Sequence, residues 1–485
     1  MGITVVDYSV IVLYIAFVIG IAFWSWRRTR DSETYFTARW NVPWWLAAVS
    51  HHMSGYSAFA FVAYAGVAWR YGFTIYTIWA LTIGLGLIVT ASTFAPRWAA
   101  LAKAKIQSPL EWLEQRYNLP SRLAIAASSI GIKFIDEALK VYSLAVFLSV
   151  FWGMDIAISI GIAGALTLFY MVIGGLLADI LSDFLQAIVQ FLVTMVSLFV
   201  ALQVVGGLGG LISKAPPGFW QPLSGPYDFP YWIVFLVVVT LSYAGGTLGL
   251  AQRFIATGKP AEARKAALFS AFLYLVYPLT FFIPMWATRI LYPDIKNPDY
   301  AYATFAKDYL PTVAPGLLGL MAVAMFAATM SMVDSDLNAL SAIATRDLYA
   351  RFKKAVDPIK QLRFGRVMTL LFGGLTVALA FIAPSLGPAF SVMVTWYAGL
   401  LGPVAVPLLL GLMYGRTTWR GALASWAGGF IVWAVLNFIV RTPWTITTGA
   451  QLLTSFGLFF LESLVTKPGP EEKERIDNLF KILKS

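Results

Sequence analysis

Residues 44–69 read WWLAAVSHHMSGYSAFAFVAYAGVAW. This stretch is long enough to cross a bilayer as a helix, which takes about 20 predominantly apolar residues. Its centre, SHHMSGYS at residues 50–57, is polar and contains a glycine, so the sequence predicts a helix that breaks inside the membrane. The carbonyl groups that such a break releases can coordinate a cation. An ordinary kink packed against neighbouring helices is the alternative interpretation.

Apolar stretches of similar length recur from one end of the chain to the other. The 485 residues are 59% hydrophobic and 12% charged, whereas soluble domains average about 45–50% apolar and about 25% charged residues. This composition excludes a soluble enzyme, a nucleic-acid-binding module and a disordered scaffold, and the continuous apolar runs argue against a β-barrel. The sequence predicts an all-α polytopic membrane protein with about 13 transmembrane helices. They are expected near residues 5–25, 44–69, 72–95, 122–152, 155–174, 180–206, 230–250, 265–291, 316–346, 366–385, 388–414, 418–438 and 445–465.

The distribution of charge predicts the orientation of the chain. The formal net charge is +11, and most lysines and arginines lie between alternate spans, as is typical of cytoplasmic loops. We therefore expect a multi-pass protein of the plasma (cell inner) membrane, with the N-terminus outside and the C-terminus in the cytoplasm. The tail after residue 465 has apolar residues at helical spacing, which predicts either a short helix on the inner membrane surface or a frayed polar tail.

The chain offers few groups for catalysis. It contains no cysteine and only two histidines, the adjacent His51 and His52, so disulfides and thiolate metal sites are excluded. No Ser–His or metal-ligand pair has the spacing of an intramembrane hydrolase. We expect no enzyme activity, no catalytic residue and no organic cofactor.

The ninth predicted span carries polar residues that indicate a cation site. They lie at i, i+3, i+4 and i+7, which places them on one helix face. Hydroxyl and carboxylate oxygens suit a hard cation, although serine and asparagine also form hydrogen bonds between membrane helices. Asp183, at the start of the sixth span, is a further candidate, with helix capping as its alternative role. The residues of the ninth span are Ser331, Asp334, Ser335 and Asn338.

The fourth predicted span carries four charged residues within an apolar helix. Their spacing gives two i, i+4 pairs, Lys133–Glu137 and Asp136–Lys140. Two interpretations stay open: a helix that lines a watery cavity, and a structural ladder of ion pairs. Asp336, which points away from the polar face of the ninth span, is expected to pair with a basic residue of the inner side.

Several short segments follow one another in a recognisable order. They are Asp31–Phe36, Gly174-Gly175 with Ser182, Asp183 and Gln186, Gln252-Arg253, Phe326–Ala328 with Ser331, Ser335, Leu337 and Asn338, and Asp347–Tyr349. Together they resemble the sodium:solute symporter family, whose members carry sugars, proline, sialic acid or monocarboxylates. The resemblance covers about residues 5–465. It implies a LeuT-like core of five plus five helices in inverted repeats, with the first and sixth core helices broken.

The resemblance also implies how the chain is divided. Residues 44–206 and 230–414 correspond to the two inverted repeats. Outside them, residues 1–43 form an extra N-terminal transmembrane helix and an inner loop. Residues 415–465 form two C-terminal transmembrane helices, and residues 466–485 form a cytoplasmic tail.

The family's shared sodium site implies a set of metal-binding residues. This site lies between the break of the first core helix, which offers carbonyl groups, and the eighth core helix. Asp334 departs from the family pattern, because a hydroxyl residue is usual there; a carboxylate favours tighter cation binding or proton coupling. Asp183 falls on an acidic position that some members use for a second sodium ion. The implied sodium-binding residues are Met53, Tyr56, Ser331, Asp334, Ser335 and Asp183.

The resemblance restricts the solute less than the ion. Trp79 and Tyr274 stand where sugar-transporting members have Glu and Lys, and Asp136 stands about where sialic acid transporters have a carboxylate-binding Arg. These differences favour a neutral, zwitterionic or cationic solute, with a sugar or an amino acid as the leading candidates. The expected substrate-binding residues are His52, Ser57, Ala60, Asp136, Tyr243, Trp396 and Tyr397.

The sequence thus predicts a symporter that uses an inward sodium gradient to import a small solute by alternating access. A proton-coupled symporter, acting through Asp334, Asp183 or His52, is one alternative. A membrane solute sensor is an alternative of another class. The expected partners are the solute and membrane lipids, with no nucleic acid, and the protein is expected to work as a monomer with Na+ as its coupling ion.

Overall fold

The computed structural model describes the backbone of residues 3–28, 40–106, 108–173, 176–343 and 358–484. Helices make up 82% of the structure, and these residues contain no strand. The predicted all-α class is therefore confirmed. Side chains are described in the same ranges except at 18–19, 21–28, 169–173, 176–186, 331, 334–335, 338–339, 341–343, 358–363, 366, 398 and 484.

Twenty-two helices of more than four residues follow one another in the described ranges, besides three short 3-10 helices at Pro298–Tyr300, Leu310–Thr312 and Ala383–Leu386. They are α1 (Val5–Arg28), α2 (Trp44–Met53), α3 (Ala58–Tyr71), α4 (Tyr76–Ser92), α5 (Ala95–Ala104), α6 (Pro109–Arg116), α7 (Leu119–Trp152), α8 (Ile156–Ile173), α9 (Leu176–Val205), α10 (Gly207–Ser213), α11 (Phe229–Gly246), α12 (Gly249–Ile255), α13 (Pro260–Val276), α14 (Leu279–Leu291), α15 (Ala301–Tyr309), α16 (Leu317–Ile343), α17 (Pro358–Ile382), α18 (Ala389–Tyr397), α19 (Gly399–Leu410), α20 (Trp419–Val440), α21 (Trp444–Val465) and α22 (Pro470–Lys484).

Each of the thirteen predicted spans falls on one of these helices or on two consecutive ones. By length and composition alone, six described helical segments can cross a membrane, and two bent pairs raise the number to eight. Three shorter apolar stretches add to these: Val5–Phe17, Ile156–Leu168 and Leu317–Met330. A protein of many membrane spans is confirmed, while the count of thirteen stays a prediction.

Two of the membrane helices are interrupted near their centres. α2 ends at Met53 and α3 begins at Ala58, so the polar stretch of the second span separates two half helices. A second interruption lies between α11 and α12, where Gly245 has φ 114° and Leu248 has φ 55°. A positive φ is strained for leucine, and the indole nitrogen Nε1 of Trp98 supports this turn by donating to the carbonyl of Ala244 at 2.8 Å. The prediction of two broken helices is confirmed.

The two helices that carry the polar and charged residues predicted above, α7 and α16, pass through the interior of the bundle. α7 packs against α3, α8, α16 and α17, and α16 packs against α1, α7, α9 and α17. α13 packs against α2, α4 and α5, on the other side of the first helix break. The two halves of the broken helix are thus held by different neighbours, α2 by α13 and α3 by α7.

The tail forms the helix α22, so the expectation of a frayed tail is wrong. Ile476 and Leu479 are buried, and α22 packs against α5 and α6 rather than standing clear of the protein. The Arg475 guanidinium donates to the carbonyl of Tyr117 at 2.6 Å. The apolar residues at helical spacing therefore bury one face of the tail helix against other parts of the chain.

Arg116, at the end of α6, connects this helix to a loop that is distant in the sequence. It is fully buried and donates to the carbonyl groups of Gly411, Tyr414 and Thr417 at 3.3, 3.0 and 2.9 Å. A guanidinium can serve several acceptors at once because its donors lie in a fixed plane. This one side chain therefore fixes α6 to the connection between α19 and α20.

Candidate functional site

The first helix break is stabilised by local hydrogen bonds. The Ser57 hydroxyl accepts from the Phe59 N–H at 3.3 Å, which caps the start of α3. At the end of α2, the N–H groups of Gly55 and Tyr56 donate to the carbonyls of His52 and Met53, both at 3.1 Å. A carbonyl oxygen has a second lone pair, so the Met53 carbonyl can still accept a further ligand.

Tyr274 of α13 reaches the same break from outside the broken helix. Its hydroxyl donates to the carbonyl of His52 at 2.9 Å. Position 55 must be glycine for this approach, because a Cβ atom there would collide with the Tyr274 hydroxyl and lie 3.2 Å from that of Tyr243. This role of Tyr274 could not be predicted from the sequence, in which the residue marks only a departure from sugar transporters, because nothing in local spacing connects residues 55 and 274.

α16 lies directly against the start of α3. The Ala58 N–H donates to the Thr329 hydroxyl at 3.0 Å, and both residues are buried. This bond brings the helix that carries Ser331, Asp334 and Ser335 to the break. The side chains of these three residues, and that of Asp183 on α9, lie outside the described part of the structure, so their role as sodium ligands stays a prediction.

The two adjacent histidines have different environments. His51 contacts the Ser270 hydroxyl through Nδ1 at 2.9 Å and the Tyr243 carbonyl through Nε2 at 3.3 Å. His52 is also buried, but its Nδ1 has no hydrogen-bond partner among the described side chains, and its ring centroid lies 4.9 Å from that of Tyr56 and 4.5 Å from that of Tyr274. His51 therefore joins α2 to its neighbours, while His52 keeps a nitrogen for a ligand.

Further buried aromatic residues border the break. The ring of Tyr243 lies 5.2 Å from that of Tyr274 and 6.1 Å from that of Trp79. The Tyr56 hydroxyl and the Trp79 indole nitrogen are buried, and within the described part of the chain neither has a hydrogen-bond partner. Aromatic faces with unused polar atoms can hold a small solute through both stacking and hydrogen bonds.

The remaining substrate candidates separate into two groups. Tyr397 contacts the Ser242 hydroxyl through its own hydroxyl at 2.9 Å, next to Tyr243. Ala60 is buried in the first turn of α3. Trp396 packs instead against the aromatic rings of Trp433 and Phe438, each with a centroid distance of 5.7 Å.

The charged residues of α7 form a network with Asp336 of α16. Both predicted i, i+4 pairs are present, Lys133–Glu137 at 3.9 Å and Asp136–Lys140 at 3.0 Å. Lys133 also lies 3.2 Å from Asp136, and Lys140 lies 2.6 Å from Glu137. Asp336 takes 2.6 Å and 3.4 Å contacts from Lys133 and Lys140. Asp336 thus pairs with basic residues, and both of them belong to α7.

This network also lies near the buried aromatic residues that border the helix break. The Asp136 carboxylate is close enough to interact electrostatically with the hydroxyl groups of Tyr64, Tyr243 and Tyr397. Its side chain is partly exposed. The ladder of ion pairs is therefore present, and the interpretation of this helix as the lining of a watery cavity stays a prediction.

A cleft of about 330 Å³ opens elsewhere, beside the end of α3. Near it, the buried Asp299 accepts from the Ala389 N–H at 3.0 Å and lies 3.6 Å from the Arg70 guanidinium. Asp299 therefore joins the connection before α15 to α3 and to the start of α18. None of the predicted site residues lines the cleft, which is formed by Arg70, Tyr71, Pro216, Pro217, Gly218, Phe219, Gln221, Ser224 and Arg289.

Comparison with known proteins gives a consistent result. The model of the sodium:solute symporter family matches residues 35–429. The sodium/glucose cotransporter of Vibrio parahaemolyticus is 26% identical, with 87% of this chain and 83% of that protein covered. Human sodium/myo-inositol cotransporter 2 is 27% identical, with 90% of this chain and 71% of that protein covered. The structure of a Na+-coupled sialic acid symporter in a substrate-bound outward-open state superimposes with a TM-score of 0.79 at 20% identity, over 96% of this chain and 99% of that one.

Proposed function

Because the chain belongs to the sodium:solute symporter family, we propose that it imports a small solute into the cytoplasm by alternating access, driven by an inward sodium gradient. Membership makes it a multi-pass membrane protein that transports a small solute with sodium as its coupling ion, and not an enzyme. The observation that carries the proposal for the site is the hydrogen bond between Ala58 and Thr329, which holds α16 against the helix break.

The proposed sodium site lies at this junction. The carbonyl oxygens of Met53 and Tyr56 supply ligands from the break, and Ser331, Asp334 and Ser335 supply ligands from α16. Asp183 of α9 is proposed for a second sodium ion. Oxygen ligands of this kind suit a hard monovalent cation, and sodium binding there would strengthen the connection between α3 and α16.

The proposed solute site is the aromatic region beside the break. His52, Tyr243, Asp136 and Tyr397 supply its polar groups, and Ser57 and Ala60 border it through the start of α3. The packing of Trp396 against α20 supports a place outside this site.

The proposed mechanism follows from the coupling of ion and solute. Sodium binds more tightly to the outward-open state and so shifts the equilibrium toward it, since a ligand shifts a conformational equilibrium only by its differential affinity. The solute then binds beside the break, and movement of the two repeats opens the inner side. We place the repeats at residues 44–206 and 230–414.

We also propose how the chain is arranged in its membrane. The segments 1–43 and 415–465 flank the repeats in the membrane, and 466–485 is the cytoplasmic tail. The N-terminus faces outside, the membrane is the plasma membrane, and the working unit is a monomer surrounded by lipid.

Thermal unfolding of the purified full chain tests the sodium site. We expect NaCl, replacing KCl at constant ionic strength, to raise the unfolding midpoint. Ser335→Ala and Asp334→Ala should each raise the sodium concentration for half of this effect about tenfold, equivalent to about 1.4 kcal/mol. Ser385→Ala is the matched control, because Ser385 is exposed outside the site. An unchanged sodium response in both site variants would show that the ligands are assigned wrongly, and stabilisation by acid in sodium-free buffer would favour proton coupling.

A further inference from the structure

The cleft beside the end of α3 has a wall that is fixed by backbone hydrogen bonds. It lies between the ends of α3 and α14 and the loop of residues 214–228, which connects α10 to α11. The Phe73 N–H donates to the Phe219 carbonyl at 2.9 Å, and the Thr74 hydroxyl donates to the Gln221 carbonyl at 3.1 Å. The volume of about 330 Å³ lies at the lower end of the range for small-molecule sites. The cleft is therefore a preformed cavity that suits a small ligand.

The lining of this cleft is positively charged. Arg70 and Arg289 belong to it, and none of the residues that line it is acidic. The Arg70 Nη1 atom lies 3.6 Å from Asp299, whose side chain is only 5% exposed and also accepts from the Ala389 N–H. Arg289 forms no ion pair with any described residue. Even with Asp299 ionised, one guanidinium charge of the cleft is therefore not neutralised by the described part of the chain.

Both guanidinium groups keep hydrogen-bond donors for a ligand. A guanidinium has five N–H donors. Arg289 lies over the Trp69 ring at 4.1 Å, which fixes its plane, and its Nη1 donates to the Pro293 carbonyl at 2.8 Å. Arg70 likewise donates through Nη1, to the Gly66 carbonyl at 3.2 Å. Within the described ranges, the Nε and Nη2 donors of these two side chains have no protein acceptor.

We propose that this cleft binds a small oxyanion, through a carboxylate or phosphate group, at a site separate from that of the transported solute. Guanidinium groups hold such oxygens through paired N–H···O bonds of fixed geometry. The Gln221 side chain, which also lines the cleft, adds a neutral hydrogen-bonding group. Under the orientation proposed above, the cleft lies on the outer face of the membrane. The anion therefore comes either from the outer solution or from a lipid headgroup of the outer leaflet.

Thermal unfolding of the purified full chain in detergent tests the site with inorganic phosphate and with succinate. The sodium salts replace NaCl at constant sodium concentration and pH, and KCl keeps the ionic strength constant. We expect a saturable rise of the unfolding midpoint, with about a tenfold or greater loss of apparent affinity in Arg289→Gln and in Gln221→Glu. The first variant removes a positive charge from the cleft, and the second adds a negative charge at an exposed position. Arg441→Gln, at an exposed arginine outside the cleft, should keep the wild-type affinity.

Lipid nanodiscs distinguish the two sources of the anion. A response to phosphate or succinate that is the same in phosphatidylcholine discs with and without phosphatidylglycerol assigns the site to an anion of the solution. If phosphatidylglycerol raises the midpoint of the wild type and of Arg441→Gln but not that of Arg289→Gln, the site holds a lipid headgroup. General stabilisation by phosphate acts on every variant alike. If neither the added anions nor phosphatidylglycerol distinguish the wild type from Arg289→Gln and Gln221→Glu, the proposal is overturned.

Discussion

Gly55 is the residue at which the geometry of the first helix break is most tightly constrained. The Tyr274 hydroxyl occupies the space that a side chain at position 55 would need, and it donates to the His52 carbonyl from there. Glycine is needed here because another helix approaches the backbone closely. The polar character of the SHHMSGYS stretch does not show that need.

We predict that Gly55→Ala destabilises the protein by about 1–3 kcal/mol, because the added methyl group displaces the Tyr274 hydroxyl. Tyr274→Phe should cost about 0.5–1.5 kcal/mol for the lost hydrogen bond. In the double variant the cost of the alanine should fall, since the hydroxyl is gone. Denaturation of the four proteins measures this coupling. Gly131→Ala, where a Cβ meets no atom within 4 Å, is the control, and strictly additive effects would contradict the steric explanation.

Asp299 connects three elements from a buried position outside the predicted spans. Burial raises the pKa of its carboxyl above the ordinary 3.8, against the opposing effects of the Ala389 N–H and Arg70. The folded protein therefore holds this proton more tightly than the unfolded chain. The resulting contribution to stability is complete below pH 3.8 and is lost as the pH rises through the raised pKa.

We predict that the unfolding midpoint of Asp299→Asn, relative to the wild type, increases as the pH rises from 3.8 through that window, because the asparagine does not ionise. Thermal unfolding in a series of acidic buffers measures the difference. Asp294→Asn, an exposed carboxylate in the same connection, should show no such trend. A relative midpoint that decreases with pH would mean that Arg70 and the Ala389 N–H outweigh burial.

At the scale of elements, α22 is held to the body by one apolar face and by hydrogen bonds at Glu472 and Arg475. Leu479, on the inner face of this helix, is buried, and Arg475 donates to the Tyr117 carbonyl. We predict that Leu479→Ala weakens docking of α22 by about 2–5 kcal/mol and that Arg475→Ala weakens it by about 1 kcal/mol. Hydrogen exchange of residues 470–484 should accelerate accordingly. Lys473→Ala, at an exposed position of the same helix, should leave exchange unchanged, and protection that survives Leu479→Ala would contradict docking through this face.

The helix breaks and the ion pairs differ in how well they can be predicted from the sequence. The α2–α3 break could be predicted because SHHMSGYS is a local polar signal in an apolar span. The α11–α12 break was expected only through family resemblance, and its positive φ at Leu248 has no signal in that residue type. The pairing of Lys133 with Asp336 joins positions 203 residues apart. Helical periodicity gives the face on which each residue lies, but not which helix that face meets.

At the scale of the whole molecule, sodium should change which side of the membrane reaches the solute site. The chain contains no cysteine, so a single introduced thiol can be labelled without background. We predict that Tyr397→Cys reacts several-fold faster with a membrane-impermeant reagent added outside in NaCl than in KCl. Ser385→Cys, exposed in the connection after α17, should react equally in both salts. Equal rates for Tyr397→Cys would contradict sodium-driven outward opening.

Because α2 and α3 are attached to different helices, an insertion between them has another effect than an insertion into a continuous helix. α2 is tied to α13 through His51 and Tyr274, and α3 is tied to α16 through the Ala58 N–H. Neither half depends on helical continuity with the other. Inserting one residue into a continuous helix rotates everything after it by about 100°. An insertion between Met53 and Ala58 should therefore disturb the break but leave both half helices attached, whereas an insertion inside α3 should disrupt the packing of the bundle itself.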